Sequence, residues 1–461
     1  MNRVDRVFVL ACLWLVPPLA MTVPKSSRDT GFDGGDGLKL LVLAALAGLA
    51  AWTVADWLYK DGRWRRVLPL IGLVAYAAFG LVSVAWSPLP LVSMDKAGTF
   101  GVLCIFALAV SQATRGPDDI RRWMWHLSYS QLLFSAVILL AHVADPTMAG
   151  LDRQRIHTGG DGLIHPTASG STASLGLLIG LLCHRVLRFD WIRRWWPPAL
   201  AIHGPILLLS NSRMSILLLA LIGIPLAWPL VSRTMKARLL AAAGLVAIGV
   251  VLFDSGFVGI GESAAEVGRY ITRGQDVSQI RAVSGRMEMW NAIFGEIQKS
   301  PWLGHGFFVT SQTGAIEVWY HKENYLAHNF LLQSLATTGM IGTGLLVGSL
   351  LALCVCVTRL MRRGPGSQKV AKFAIAIGLW YLGWGLLAAS FLGPIRPESL
   401  VFFLTVGLVT AARVLSQADR FDDRRPRELS ANCYTAGPTR DTFPVRRDAD
   451  GRFPAEAPST A

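Results

Sequence analysis

PILLLSNSRMSILLLALIGIPL, Pro205 to Leu226, decides the fold. Two apolar runs flank a polar break, SNSRMS, from Ser210 to Ser215. Arg213 follows Arg194 by nineteen positions, about 28 Å along a helix and close to the ~30 Å hydrocarbon thickness of a bilayer. Two membrane-crossing helices therefore meet at a tight turn, with a guanidinium at or just under the surface. An arginine in hydrocarbon costs ~2.5–3.5 kcal/mol or more, so this one needs a partner, water or a substrate to offset it.

Apolar runs of similar length recur along the chain. They predict an all-α polytopic membrane protein of about twelve transmembrane helices, near 6–23, 39–58, 67–86, 98–114, 123–144, 169–186, 195–211, 214–231, 239–256, 335–358, 371–391 and 398–415. Composition agrees: 16% of the 461 residues are charged and 52% hydrophobic, whereas soluble domains carry about a quarter charged residues. The first run is read as a span rather than a signal peptide because Pro17 and Pro18 break its centre and no clean cleavage site follows.

Alternate loops are dense in cations: Lys60, Arg63, Arg65 and Arg66; Arg115, Arg121 and Arg122; Arg185, Arg188, Arg193 and Arg194; Arg233, Lys236 and Arg238; Arg359, Arg362, Arg363, Lys369 and Lys372. The loops between are sparser, with Lys96 alone in 87–97 and Arg396 alone in 392–397. Cationic loops stay in the cytoplasm, which puts both termini there and Arg213 on the outer side. The net charge of +14 is then a topology signal, and no nucleic-acid partner is expected. Cys12, Cys104, Cys183, Cys354 and Cys356 fall in apolar runs and Cys433 in the polar tail, so no disulfide framework is indicated. No internal repeat is seen.

The longest hydrophilic stretch between spans is 257–327. It contains GRMEMWNAIFGEIQKSPWLGHG, Gly285 to Gly306, and leads into AHNFLLQSLATTGMIG, Ala327 to Gly342. Trp290, Ile293, Phe294 and Ile297 recur at helical spacing and predict one apolar face, with Ser284 as N-cap and Pro301 as stop. Arg286, four residues before Trp290, projects from that same side. Such a cation fits a bound anion, and equally an arginine that snorkels to headgroups or pairs with an acid. Gly304-His305-Gly306 predicts a turn suited to close approach of a ligand or another backbone. His328 and Asn329 open a new helix, whose start favours an anion and a neutral, basic imidazole; plain capping fits His328 as well. Gly339 and Gly342 break or kink that helix. The loop 145–168 brings Arg153, Arg155, His157 and His165, either a lid or substrate groove or an ordinary solvated loop, and intramembrane His203 reads as a packing residue. No His/Cys/Asp/Glu cluster has metal-ligand spacing, and no P-loop or G-x-G-x-x-G occurs, so neither metal nor cofactor is expected.

Taken together, Ser212-Arg213, then Arg286 to Trp290 (R-x-x-x-W), then Pro301 with Gly304 and Gly306 (P-x-x-G-x-G), then His328-Asn329 with Leu332 (H-N-x-x-L) ahead of Gly339 and Gly342, the pattern resembles the O-antigen ligase / O-antigen polymerase (Wzy-type) superfamily of bacterial envelope glycosyltransferases. That family often shows an arginine and a Pro-Asn in the preceding outer loop. Arg155 matches the first, and Pro166 followed by Thr167 departs from the second.

The resemblance implies a metal-independent, inverting transfer of a glycan from an undecaprenyl-diphosphate carrier to an acceptor hydroxyl, on lipid A core or on a second carrier-linked glycan, at the periplasmic face of the bacterial inner membrane. His328, Arg286 and Arg213 are its catalytic residues here, and Arg155, His305, Asn329 and Trp290 its substrate-binding ones. The expected organisation is transmembrane helices with short loops over 1–256, a mostly helical periplasmic catalytic segment over 257–334, further transmembrane helices over 335–415 and a disordered cytoplasmic tail over 416–461. A transporter or flippase is the contrasting class. Transporters put ionisable residues near the midplane and often carry inverted repeats, whereas the unusual polar residues here gather at one membrane face.

Overall fold

The computed structural model describes residues 3–19, 34–59, 70–144, 166–210, 212–227, 234, 286–309, 327–386 and 396–417. Within them the chain forms α1 (Arg3–Leu19), α2 (Gly34–Tyr59), α3 (Ile71–Val82), α4 (Pro90–Ala113), α5 (Pro117–Ala144), α6 (Pro166–Leu182), α7 (Ile192–Leu209), α8 (Arg213–Ala227), α9 (Arg286–Lys299), α10 (Phe330–Met361), α11 (Pro365–Gly385) and α12 (Pro397–Gln417). No strand occurs among the described residues. The expected ninth span, 239–256, the loop bearing Arg155 and most of the tail fall outside them; each of the other expected spans overlaps a helix. Among the described residues, six helices are long and apolar enough to cross a membrane, and the stretches 71–85 and 213–227 are shorter apolar helices. This is a helical membrane protein. Residues 422–461 also lie outside the described residues.

The spine is α12. It packs along α4 and α11, and every residue from Pro397 to Ala412 is buried. Contact with α4 is close because Gly407 faces the Ala107 carbonyl and Val110, where a side chain would collide. Small residues set helix approach in membranes, where lipid supplies no hydrophobic drive between helices. The antiparallel pair α6 and α7 follows the same rule. Gly176 makes room for the His203 ring and Gly180 for Trp195. His203 is thus a packing residue, fully buried, although neither ring nitrogen has a hydrogen-bond partner among the described residues.

Two neighbourhoods bear on the site. α8 packs on α6 and α11; α10 packs on α3, α11 and α9. α11 therefore touches both the helix that starts at Arg213 and the helix that follows His328.

Candidate active site

The SNSRMS break is the predicted tight turn. α7 closes with Ser210, whose N–H donates to the Ile206 carbonyl at 2.8 Å and whose hydroxyl donates to the Leu207 carbonyl at 2.9 Å. α8 opens with the Ile216 N–H on the Ser212 carbonyl at 3.0 Å, and the Ser212 and Ser215 hydroxyls lie 2.7 Å apart. The turn rests on Gly170 of α6, where a side chain would strike Ser210 and Ser212. One turn deeper, the Ser174 hydroxyl donates to the Ser215 carbonyl at 2.8 Å and accepts the Trp380 indole N–H at 3.1 Å. These bonds fix half-buried Arg213, the first residue of α8, against α6 and α11. A guanidinium and a helix N-terminus both favour an anion there.

Arg286 is the first residue of α9; its side chain is not among the described ones. Ile293 is buried and packs with Trp290, Ile297, Leu332 and Ala336, so the predicted apolar face docks on the start of α10. Phe294, expected on that face, is instead 49% exposed. The buried arc centres on Ile293, and successive helical residues diverge by about 100°. α9 ends at Lys299, just before Pro301, as the proline predicts.

A short turn, 301–306, links α9 to α10 through backbone hydrogen bonds. Gly339 breaks α10 internally with φ 61° and ψ −167°. In an unbroken helix the N–H groups of Met340 and Ile341 would bond to the Ala336 and Thr337 carbonyls. Here Met340 N–H donates to the Pro301 carbonyl at 2.8 Å and Ile341 N–H to the Trp302 carbonyl at 3.2 Å. The Ala336 and Thr337 carbonyls accept instead from the His305 N–H at 3.1 Å and the Gly306 N–H at 2.9 Å. The turn is spliced into the open helix, and all four backbone groups stay satisfied. Leaving them unpaired near lipid would cost several kcal/mol each. Gly304, at φ 68°, approaches the Thr337 backbone, and Gly339 that of Trp302, closely enough to exclude a Cβ. Past the turn, the Phe307 N–H donates to the Ser83 hydroxyl at 2.9 Å, and the buried ring packs beside Tyr76, 5.6 Å between centroids.

The splice fixes the predicted site residues. His305 donates from Nε2 to the Glu296 carbonyl at 3.0 Å, with the Glu296 carboxylate at 3.9 Å; Lys299 pairs with the other Glu296 oxygen at 2.6 Å. Asn329 is the N-cap of α10, its Oδ1 accepting from the Leu331 N–H at 3.0 Å and the Leu332 N–H at 3.2 Å. His328, just before it, is half-buried with φ 48°. Trp290 Nε1 donates to the Ala327 carbonyl at 2.9 Å. Trp290, His305, His328 and Asn329 thus belong to one α9–α10 assembly, headed by the residue position of Arg286. Arg213 stands on the α6–α8–α11 side, and Arg155 lies outside the described residues.

Sequence reasoning missed Gln333, whose buried side chain bonds back to Ala327 at 2.9 Å. Its signal was there to read: an amide in the largely apolar run LLQSLATTG.

No curated protein matches the chain. Residues 198–347 match the family model described as O-antigen ligase. That stretch includes Arg213, Arg286, Trp290, His305, His328 and Asn329, and excludes Arg155. Over those residues the chain is similar to the O-antigen ligase / polymerase superfamily, membrane enzymes of the glycosyltransferase type.

Proposed function

We propose that the protein is an O-antigen ligase: it moves a glycan from undecaprenyl diphosphate to a hydroxyl of the lipid A core, at the periplasmic face of the inner membrane, with both termini cytoplasmic. The observation that carries this reading is the α9–α10 splice. It builds the helix start beside His328 onto the element that begins at Arg286, within the region matched to the O-antigen ligase family.

In the reaction His328 takes the proton of the acceptor hydroxyl. The freed oxygen attacks the anomeric carbon from the face opposite the diphosphate, and the bond from that carbon to the phosphate oxygen breaks. One displacement inverts the centre. The departing diphosphate gains negative charge, which Arg213 and Arg286 meet with charge-assisted, bidentate hydrogen bonds. Fixed cations in a partly dry site stabilise developing charge strongly. No resident cofactor enters this scheme. The donor is lipid-linked, so a site between membrane helices and an outer segment matches where its headgroup resides.

A polymerase would use the same donor chemistry with a carrier-linked acceptor. Deleting the gene and analysing the glycans separates them. Loss of polymer from lipid A, with polymer still made on the carrier, is the expected result. Single repeats remaining on lipid A would make the protein a polymerase, and unchanged glycans would end both readings. For the contrasting transporter class, purified protein in liposomes is decisive: Arg286→Ala is expected to abolish glycan transfer, and transfer at the wild-type rate would count against an enzyme.

A further inference from the structure

Ala327 is engaged by side chains at both of its peptide groups. Its N–H donates to Gln333 Oε1 at 2.9 Å, and its carbonyl accepts from Trp290 Nε1 at 2.9 Å. Ala327 is 3% exposed and Gln333 2%, so water does not compete for either bond. The two side chains come from different helices, Trp290 from α9 and Gln333 from the first turns of α10. Gln333 also closes the first turn with its own N–H, on the Asn329 carbonyl at 2.9 Å. In an ordinary capping box a side chain in the first helical turn reaches back to the N-cap N–H. Here the target lies two residues before the N-cap, past Asn329 and past His328, at Ala327. His328 is left between two held peptides: Ala327 behind it and Asn329, locked by its own cap, ahead of it. Its left-handed φ of 48° is a conformation that a non-glycine residue keeps only when its surroundings enforce it.

We infer that Trp290 and Gln333 are positioning residues that together clamp the Ala327 peptide and so set where the His328 imidazole stands. This rests on the reading of His328 as the base. It gives Trp290 a task other than holding substrate, since its indole N–H already has a partner. It also gives Gln333 a place in the active site that no motif marks. Catalytic geometry is sensitive enough for such a clamp to matter: a displacement of ~1 Å can cost about a hundredfold in rate.

The test compares His328→Ala, Trp290→Phe, Gln333→Met and the double variant His328→Ala/Trp290→Phe, each full-length in liposomes. Donor is the carrier-linked glycan extracted from the producing strain's membranes, and acceptor is lipid A core. Trp290→Phe removes the N–H and keeps a ring for packing; Gln333→Met removes the acceptor at similar volume. Both are expected to lower kcat by about 10- to 100-fold with the donor KM within twofold. The effect of Trp290→Phe is expected to vanish in the His328→Ala background, because it acts through that residue. The clamp is overturned if His328→Ala is inactive while Trp290→Phe keeps wild-type kcat, or if Trp290→Phe lowers the residual rate of His328→Ala by the same factor as in wild type. If His328→Ala itself turns over normally, the reading of the base fails first and the clamp with it. Should Gln333→Met not fold, Trp290→Phe decides alone.

Discussion

His328 and Asn329 are neighbours whose side chains do separable work, and substitution can tell them apart. The proposed base accepts a proton, whereas the capping oxygen belongs to Asn329. His328→Ala should therefore cost ~10²–10⁴-fold in kcat and leave the thermal midpoint and donor KM near wild type. Asn329 is the reverse case. Its Oδ1 holds two N–H groups of the first turn, so Asn329→Ala should lose about 1 kcal/mol of stability, read as a lowered thermal midpoint in detergent. Asn329→Asp keeps the capping oxygen and should keep the midpoint. If Asn329→Asp instead loses donor affinity at unchanged stability, the amide NH₂ contacts substrate and the residue is a ligand as well as a cap. The sequence marked both positions, because a helix start after a polar segment is a local signal. Gln333 it marked only as an amide in a largely apolar run; what that amide holds was not legible, because Ala327 lies outside the helix and its carbonyl is bonded by Trp290, from another helix altogether.

At the scale of elements, the splice between the 301–306 turn and α10 is the feature on which the assembly depends. Both halves were legible separately: Gly304-His305-Gly306 as a turn fit for close backbone approach, and Gly339 as a break. That each answers the other was not legible. Hydropathy periodicity describes which face is buried and is silent on which distant carbonyl an opened helix will find. Phe294 illustrates the same limit, since four apolar residues at helical spacing define an arc, and only the partner decides where the arc is centred. The splice predicts an asymmetry among the glycines of one helix. Gly339→Ala places a Cβ against the Trp302 backbone at a positive φ and should cost roughly 1–3 kcal/mol or more. Gly344→Ala, with nothing within 4 Å of its added Cβ, should be neutral or stabilising by about 0.5–1 kcal/mol. Thermal unfolding of the two variants in the same detergent checks this. Equal effects would mean that Gly339 is an ordinary helical glycine and that the turn and the helix do not interlock.

Across the whole molecule, the apolar runs made the helices readable, because the bilayer imposes one length on every span; the alternation of cationic loops adds only the expected orientation. α10 turns that into a depth scale. From Met340, just past the break, to Met361 it runs about 33 Å, close to the ~30 Å of hydrocarbon, and Arg359, Arg362 and Arg363 gather at its far end. On the proposed topology the break at Gly339 lies at the outer edge of the hydrocarbon, and the first turns of α10, with His328 at their tip, rise above it. Trp302, bonded through its carbonyl to Ile341 and 63% exposed, falls at the depth where amphipathic aromatic rings concentrate, with exposed Leu303, Met340 and Ile341 beside it. Nitroxide labels in vesicles can measure this register once the six native cysteines are replaced. A label at position 302 should collide with oxygen dissolved in lipid and be shielded from an aqueous nickel chelate. A label at exposed Gln298 of α9 should show the opposite preference, and one at position 354, on an exposed part of α10, should read deepest of the three. If position 302 proves as open to the chelate as position 298, the break stands clear of the bilayer. His328 would then sit too far above the membrane surface for Arg213, at the surface turn, to share one diphosphate-linked sugar with it.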